Sequence, residues 1–191
     1  MIIAHYPGAG GHRYGLFLKK LSFDVVGSHM HQAEFVSKDC PNYITNQTPL
    51  CEDIDPGLIK KTHTLNDALL QKFFPKHKIV KIKADFKQSL HRQWQVVQKK
   101  SYGTKPIEDQ VSQMFSLIEW HHNYYAEYPV DWNVGTVIDI ATDTTEFGQV
   151  MRRELDLKDP LFDLAWNSFI EYGPKAPIVD LYKKYEQQNS Q

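Results

Sequence analysis

Two stretches of the 191-residue chain carry residue types whose spacing could do chemistry. The first is Tyr6-Pro7-Gly8-Ala9-Gly10-Gly11-His12-Arg13, which follows the apolar run Met1-Ile2-Ile3-Ala4 and precedes apolar residues at Tyr14, Leu16, Phe17, Leu18 and Leu21. A strand that enters glycines and leaves as a helix gathers backbone N–H groups at a helix start, where the dipole also favours negative charge. Glycines let a ligand come close to the backbone. Gly8, Ala9, Gly10, Gly11, His12 and Arg13 are therefore read as a phosphate-binding loop. Arg13 falls in the first helical turn, where a purely structural helix prefers an acidic residue, so an anion partner explains it. The competing reading is a glycine turn that lets the helix pack on the first strand. The Gly-x-x-x-x-Gly-Lys-Ser/Thr loop of ATPases is not present: no Lys-Ser or Lys-Thr pair follows, and the hydroxyl that would hold magnesium is missing.

The second stretch is Lys61-Thr62-His63. In an extended segment Lys61 and His63 point to the same face, two residues apart. A cation beside an imidazole favours its neutral form, the form able to accept a proton. His63 reads as a general base and Lys61 as its electrostatic helper.

The elements that position these residues alternate in type. A strand at Met1–Ala4 and a helix from Tyr14 are followed by an irregular segment over 27–57 with Gly27, Pro41, Pro49 and Pro56. Apolar spacing predicts a helix over Leu65–Phe74, stopped by Pro75, and β-branched density predicts a strand over Lys78–Ala84. Helices are expected over 86–100 and 107–127, broken by Gly103 and Pro106. A strand over Val134–Ile140, capping residues at Thr142–Glu146 for a helix ending near Leu157, and helices over 160–170 and 177–188 complete the chain. Strands separated by helices favour a parallel sheet covered on both faces. Residues 1–191 are expected to form one α/β domain.

Composition removes several function classes. A net charge of −1 gives no global field for nucleic acid or an acidic membrane, so neither is expected as a partner. No stretch of about 18 consecutive apolar residues predicts a membrane span, and no segment reads as a signal peptide. Cys40 and Cys51 show no metal-ligand spacing and no disulfide framework, which fits a reduced cytoplasmic setting.

In order and in motif the chain resembles the sulfotransferases that use 3′-phosphoadenosine-5′-phosphosulfate. Tyr6–Arg13 is similar to that family's Tyr-Pro-Lys-Ser-Gly-Thr-Thr-Trp loop, and Lys61-Thr62-His63 with Leu69-Leu70, Phe74-Pro75 and Lys78–Val80 to its Lys-Thr-His-Leu-Pro segment, helix and next strand. Trp120, His121 and Tyr125, the strand Thr136–Ile140 and the segment Asp143–Leu157 extend the likeness to about half the chain. The resemblance implies a three-layer, P-loop NTPase-like parallel sheet flanked by helices. It also implies sulfuryl transfer to the hydroxyl of a small acceptor, with His63 as base, Lys61 assisting and no metal. Lys83 stands where the family has the arginine that binds the 3′-phosphate, and His91 where it has a serine eight residues later; Gly8 replaces the loop lysine. A lysine meets phosphate as a point charge, without the arginine's fork. The late Arg-Lys-Gly motif is missing, with Gly173 and Lys175 its nearest counterparts. Two alternatives stay open: another P-loop transferase such as a small-molecule kinase, and a non-catalytic relative that binds a phosphate-containing ligand.

Other residues are read as structural. His29-Met30-His31 and His121-His122 lack a carboxylate or cysteine at ligating spacing. Trp94 and Trp120 sit at helical spacing and are expected in the core. Lys99-Lys100 and Lys183-Lys184 are expected as solvated helix charges.

Overall fold

The computed structural model describes residues 1–21, 23, 25–27, 41–50, 54–101, 105–139, 145–155 and 161–172. The cysteines, the His29-Met30-His31 run, the caps at 142–144, Gly173, Lys175 and the helix expected over 177–188 lie outside the described residues. In chain order the elements are β1 (Ile2–His5), α1 (Gly11–Lys20), β2 (Val25–Gly27), β3 (Ile59–Thr62), α2 (Asp67–Phe73), β4 (Ile79–Lys83), α3 (Phe86–Ser101), α4 (Ile107–Glu127), β5 (Thr136–Asp139), α5 (Thr145–Glu154) and α6 (Leu161–Tyr172).

Among the described residues the strands form one sheet in the order β2-β3-β1-β4-β5, and every neighbouring pair is parallel. Ile3 lies opposite Lys61 on one side and Val80 on the other, and His5 lies opposite Ile82. The chain leaves β1 toward β2 on one side and leaves β3 toward β4 on the other. The carboxyl edge around β1 is thus where the winding reverses, the place where open α/β sheets leave a crevice.

Both faces are covered, as a buried parallel sheet requires. On one, Ile3, Val80, Ile82 and Ile138 pack with Tyr14, Phe17 and Leu18 of α1, Val150 and Met151 of α5, and Trp166 and Phe169 of α6. On the other, Ile2 and Ala4 pack with Leu69, Leu70 and Phe73 of α2 and Tyr124 of α4. Helix ends follow from local chemistry. Asn66 caps α2 by accepting from the Leu69 amide, Asp85 caps α3 by accepting from the Gln88 amide, and Pro106 with Glu108 and Asp109 opens α4. No helix among the described residues is long and apolar enough to cross a membrane.

The strands carry more charge than a core normally accepts. Lys60, Lys61 and Lys81 are all almost wholly buried. Lys81 is satisfied by the Asp67 carboxylate at 2.8 Å and by the Asp131 carbonyl, which anchors the start of α2 and the turn before β5 to β4.

Trp94 and Trp120 do not enter the core as expected. Trp120 is 46% exposed, and Trp94 is half-buried along α3. The core tryptophan is Trp166, whose ring lies 5.0 Å from that of Phe17 and 5.7 Å from that of Tyr14. Trp166→Ala should therefore cost about 3–5 kcal/mol in urea unfolding; a loss below about 1 kcal/mol would contradict this placement of α6.

Candidate functional site

The glycine loop turns sharply out of β1. The Ala9 amide closes a turn onto the Tyr6 carbonyl at 3.0 Å, and Gly8 and Gly10 take φ of 83° and 89°, values that side chains beyond glycine rarely adopt. Gly10 is the N-cap of α1, and the first turn contains no acidic residue. The leading amides of a helix have no partner inside it. The loop therefore presents N–H groups at the carboxyl edge of β1, the central strand.

Two of these glycines also have neighbours that leave no room for a methyl group. A Cβ on Gly8 would lie 2.1 Å from the carbonyl oxygen of Ser89 in α3, and one on Gly11 would lie 1.9 Å from Nε2 of His5. The packing role considered for the glycines is thus present in the structure.

His5 is the residue that ties the site together, and its position was readable only as a polar residue closing an apolar strand. Its ring is buried beneath Gly11 and its Nδ1 donates to the Tyr6 carbonyl at 2.8 Å. Burial, and secondarily the Lys61 charge, outweigh that bond and push its pKa down to about 4. The His63 ring meets it edge to face, centroids 4.9 Å apart, and His63 Nδ1 donates to the His5 carbonyl at 3.2 Å. Burial first, then His5, with smaller contributions from His121 and Lys61, hold His63 well below the ordinary histidine range. With the proton on Nδ1, the neutral ring keeps an Nε2 lone pair, which no donor among the described residues takes.

The backbone of His63 is fixed as firmly as its ring. Its amide donates to the Asn42 carbonyl at 2.6 Å, and its carbonyl accepts from the Tyr125 hydroxyl at 2.8 Å. The Tyr43 ring lies 5.2 Å from the imidazole, and the Tyr43 hydroxyl is 2.6 Å from Nε2 of His121. His121 is buried and its pKa is pushed down to about 4, mainly by desolvation, while its Nδ1 has no partner among the described residues. His122 is exposed and meets only the Phe86 ring among the ring contacts found.

The residues singled out in the sequence separate into two groups. Gly11 and His63 both meet His5, Lys61 lies buried beneath α1 at Gly15, and Gly8, Ala9 and Gly10 lead into Gly11 along the same loop. Of His12, only the backbone position in α1 is described. The others point elsewhere. Arg13 donates to the Ile170 carbonyl at 2.9 Å, and its guanidinium lies 5.7 Å from the Phe169 ring, so this cation neutralises the carbonyl end of α6. Lys83 ends β4 paired with Asp139 at 3.0 Å, half-exposed. His91 is exposed on α3, 3.1 Å from the Gln95 amide nitrogen, in a groove against α4. No group of three or more metal-ligating side chains occurs among the described residues.

Two outcomes follow. Gly8→Ala combines a strained φ with a backbone clash, so chemical denaturation should show a loss of about 2 kcal/mol or more; an unchanged midpoint would mean the loop does not touch α3. The histidines give a pH signature. His5 and His121 titrate near 4 in the fold against about 6.5 when unfolded, so their contribution is complete above about pH 6.5 and is lost as pH falls toward 4. In that window the unfolded chain binds more protons, and stability should drop by up to about 1.4 kcal/mol per pH unit for each histidine. Stability that is flat across it would show the rings to be hydrated. Comparison of the chain with family models, curated proteins and solved structures finds no match.

Proposed function

We propose that the chain binds a phosphate-bearing nucleotide at the Gly8–Arg13 turn and transfers a group from it to the hydroxyl of a small acceptor. The donor that best suits the residue pattern is 3′-phosphoadenosine-5′-phosphosulfate. The observation that carries this reading is the orientation of His63: a neutral imidazole held by Nδ1 on the His5 carbonyl, one strand away from the helix start that follows β1. In the proposed step Nε2 takes the proton of the acceptor hydroxyl, the oxygen bonds to sulfur, and the sulfur–oxygen bond to the 5′-phosphate breaks. Its electron pair leaves on the phosphate, opposite the amides of Gly10 and Gly11. Lys61 acts through its field, keeping the imidazole neutral from beneath α1.

The contacts of Gly8 with Ser89 and of Gly11 with His5 favour a second reading, in which the turn serves helix packing and holds a phosphate ligand without turnover, or none. Titration calorimetry with 3′,5′-adenosine bisphosphate and with ATP, each with and without magnesium, separates these. The expected outcome is saturable, magnesium-independent binding of the bisphosphate and none of ATP. ATP binding that requires magnesium would move the protein to the kinase class, and silence with both would leave the turn a packing device. With a confirmed substrate, His63→Ala should keep donor affinity and lower turnover by roughly 10² to 10⁴.

A further inference from the structure

Between α3 and α4 runs a groove of about 420 Å³, within the roughly 300–1,000 Å³ typical of small-molecule sites. Its floor is Leu90 and Met114, each 7% exposed, and Trp94, Val111 and Phe115 form its sides. Phe115 is 69% exposed, although it stands one turn from Val111 on the same face of α4. Clefts lined by apolar side chains with a few polar groups are the usual form of small-molecule sites.

The polar groups of the groove are not mixed in sign. Lys87 and His91, one turn apart on α3, line it, and among the described residues no carboxylate does. His91 Nε2 faces the Gln95 amide nitrogen, which can only donate. With Nε2 accepting from that amide, Nδ1 is the ring's donor, one helical turn from Lys87. An apolar trough with two adjacent donors suits one ligand type: a long or flat apolar body ending in a single anionic head.

We propose that the α3–α4 groove binds a small amphiphilic carboxylate, its apolar body on Leu90, Met114 and Phe115 and its carboxylate on Lys87 and His91. The site is separate from the transfer site proposed above. Phe86 packs against Tyr6 and Tyr125, ring centroids 5.0 and 5.6 Å apart, and Tyr125 is bonded to the His63 carbonyl, while none of these four residues lines the groove. His91, which the sequence assigned to the nucleotide, belongs to this second site.

Decanoate and decanol are the probes, titrated calorimetrically and by Trp94 fluorescence, with 3′,5′-adenosine bisphosphate as an independent control. Decanoate should bind saturably and change the Trp94 emission, and decanol, without the charged hydrogen bonds, should bind about tenfold more weakly or worse. Lys87→Glu, at an exposed position that the fold does not need, should weaken decanoate by at least about tenfold and leave bisphosphate titrations as they are in the parent protein. Met114→Trp should fill the groove and abolish binding. If that variant unfolds, Phe115→Glu, on the exposed side, replaces it with the same expectation. Lack of saturable decanoate binding would overturn the proposal, as would equal affinity in Lys87→Glu. A concentration-dependent dimer in light scattering that Phe115→Glu dissociates would also overturn it, making the groove an interface between copies.

Discussion

The position of α1 depends on two places where a side chain is missing. Gly11 and Gly15 lie one turn apart on the underside of the helix, and into the space below them rise His5 from β1 and Lys61 from β3. A Cβ would stand 1.9 Å from the imidazole in one case and 2.8 Å from the ammonium in the other. The helix therefore rests on polar groups at its start and on apolar ones, Phe17 and Leu18, further along. That arrangement buries His5, makes its carbonyl available at the strand end, and so decides which way His63 faces.

Around this contact a layer of polar residues is sealed in by rings. Thr62 donates to the Pro41 carbonyl at 2.8 Å, Thr64 accepts from the Ile44 amide at 2.6 Å, and the Tyr124 hydroxyl donates to the Ile44 carbonyl at 2.8 Å. These bonds hold the 41–48 stretch over the end of β3, and on α4 the Trp120 ring meets Tyr43 edge to face and stacks on Tyr124, which meets Tyr125 edge to face. Burial raises the Tyr125 pKa well above its ordinary value and lowers those of the histidines, so the interior holds these groups neutral. The satisfaction is incomplete. Asn42 Oδ1, Ser89 Oγ, Gln93 Oε1 and His121 Nδ1 are buried with no protein partner among the described residues. Native structures leave few such atoms, and a site for polar ligands is one reason for leaving them.

The elements with one clear period were legible. Strand β1 and the helix α4 over 107–127 could be placed from the apolar run at the start of the chain and from the break at Gly103 and Pro106. The third strand was harder to see because Ile59-Lys60-Lys61-Thr62 carries two lysines, both of which the fold buries. The second strand, Val25–Gly27, is only three residues long, too short for any periodicity. Arg13 illustrates a different limit. The helix dipole correctly flags a cation out of place in the first turn, but the long side chain answers to the carbonyls of α6, over 150 residues away in sequence, which no local pattern encodes. His91 shows the part played by helix phase: the face of α3 that touches the loop carries Ser89, and His91 lies on the face toward α4.

The account turns on the state of one ring, and nitrogen-15 NMR of the His63 imidazole reads it directly. At about pH 6.5, where an ordinary histidine is half protonated, the signals should be those of a single neutral ring with its proton on Nδ1. A ring that is half protonated at that pH, or one with its proton on Nε2, would contradict the orientation by His5 on which the proposed proton transfer depends.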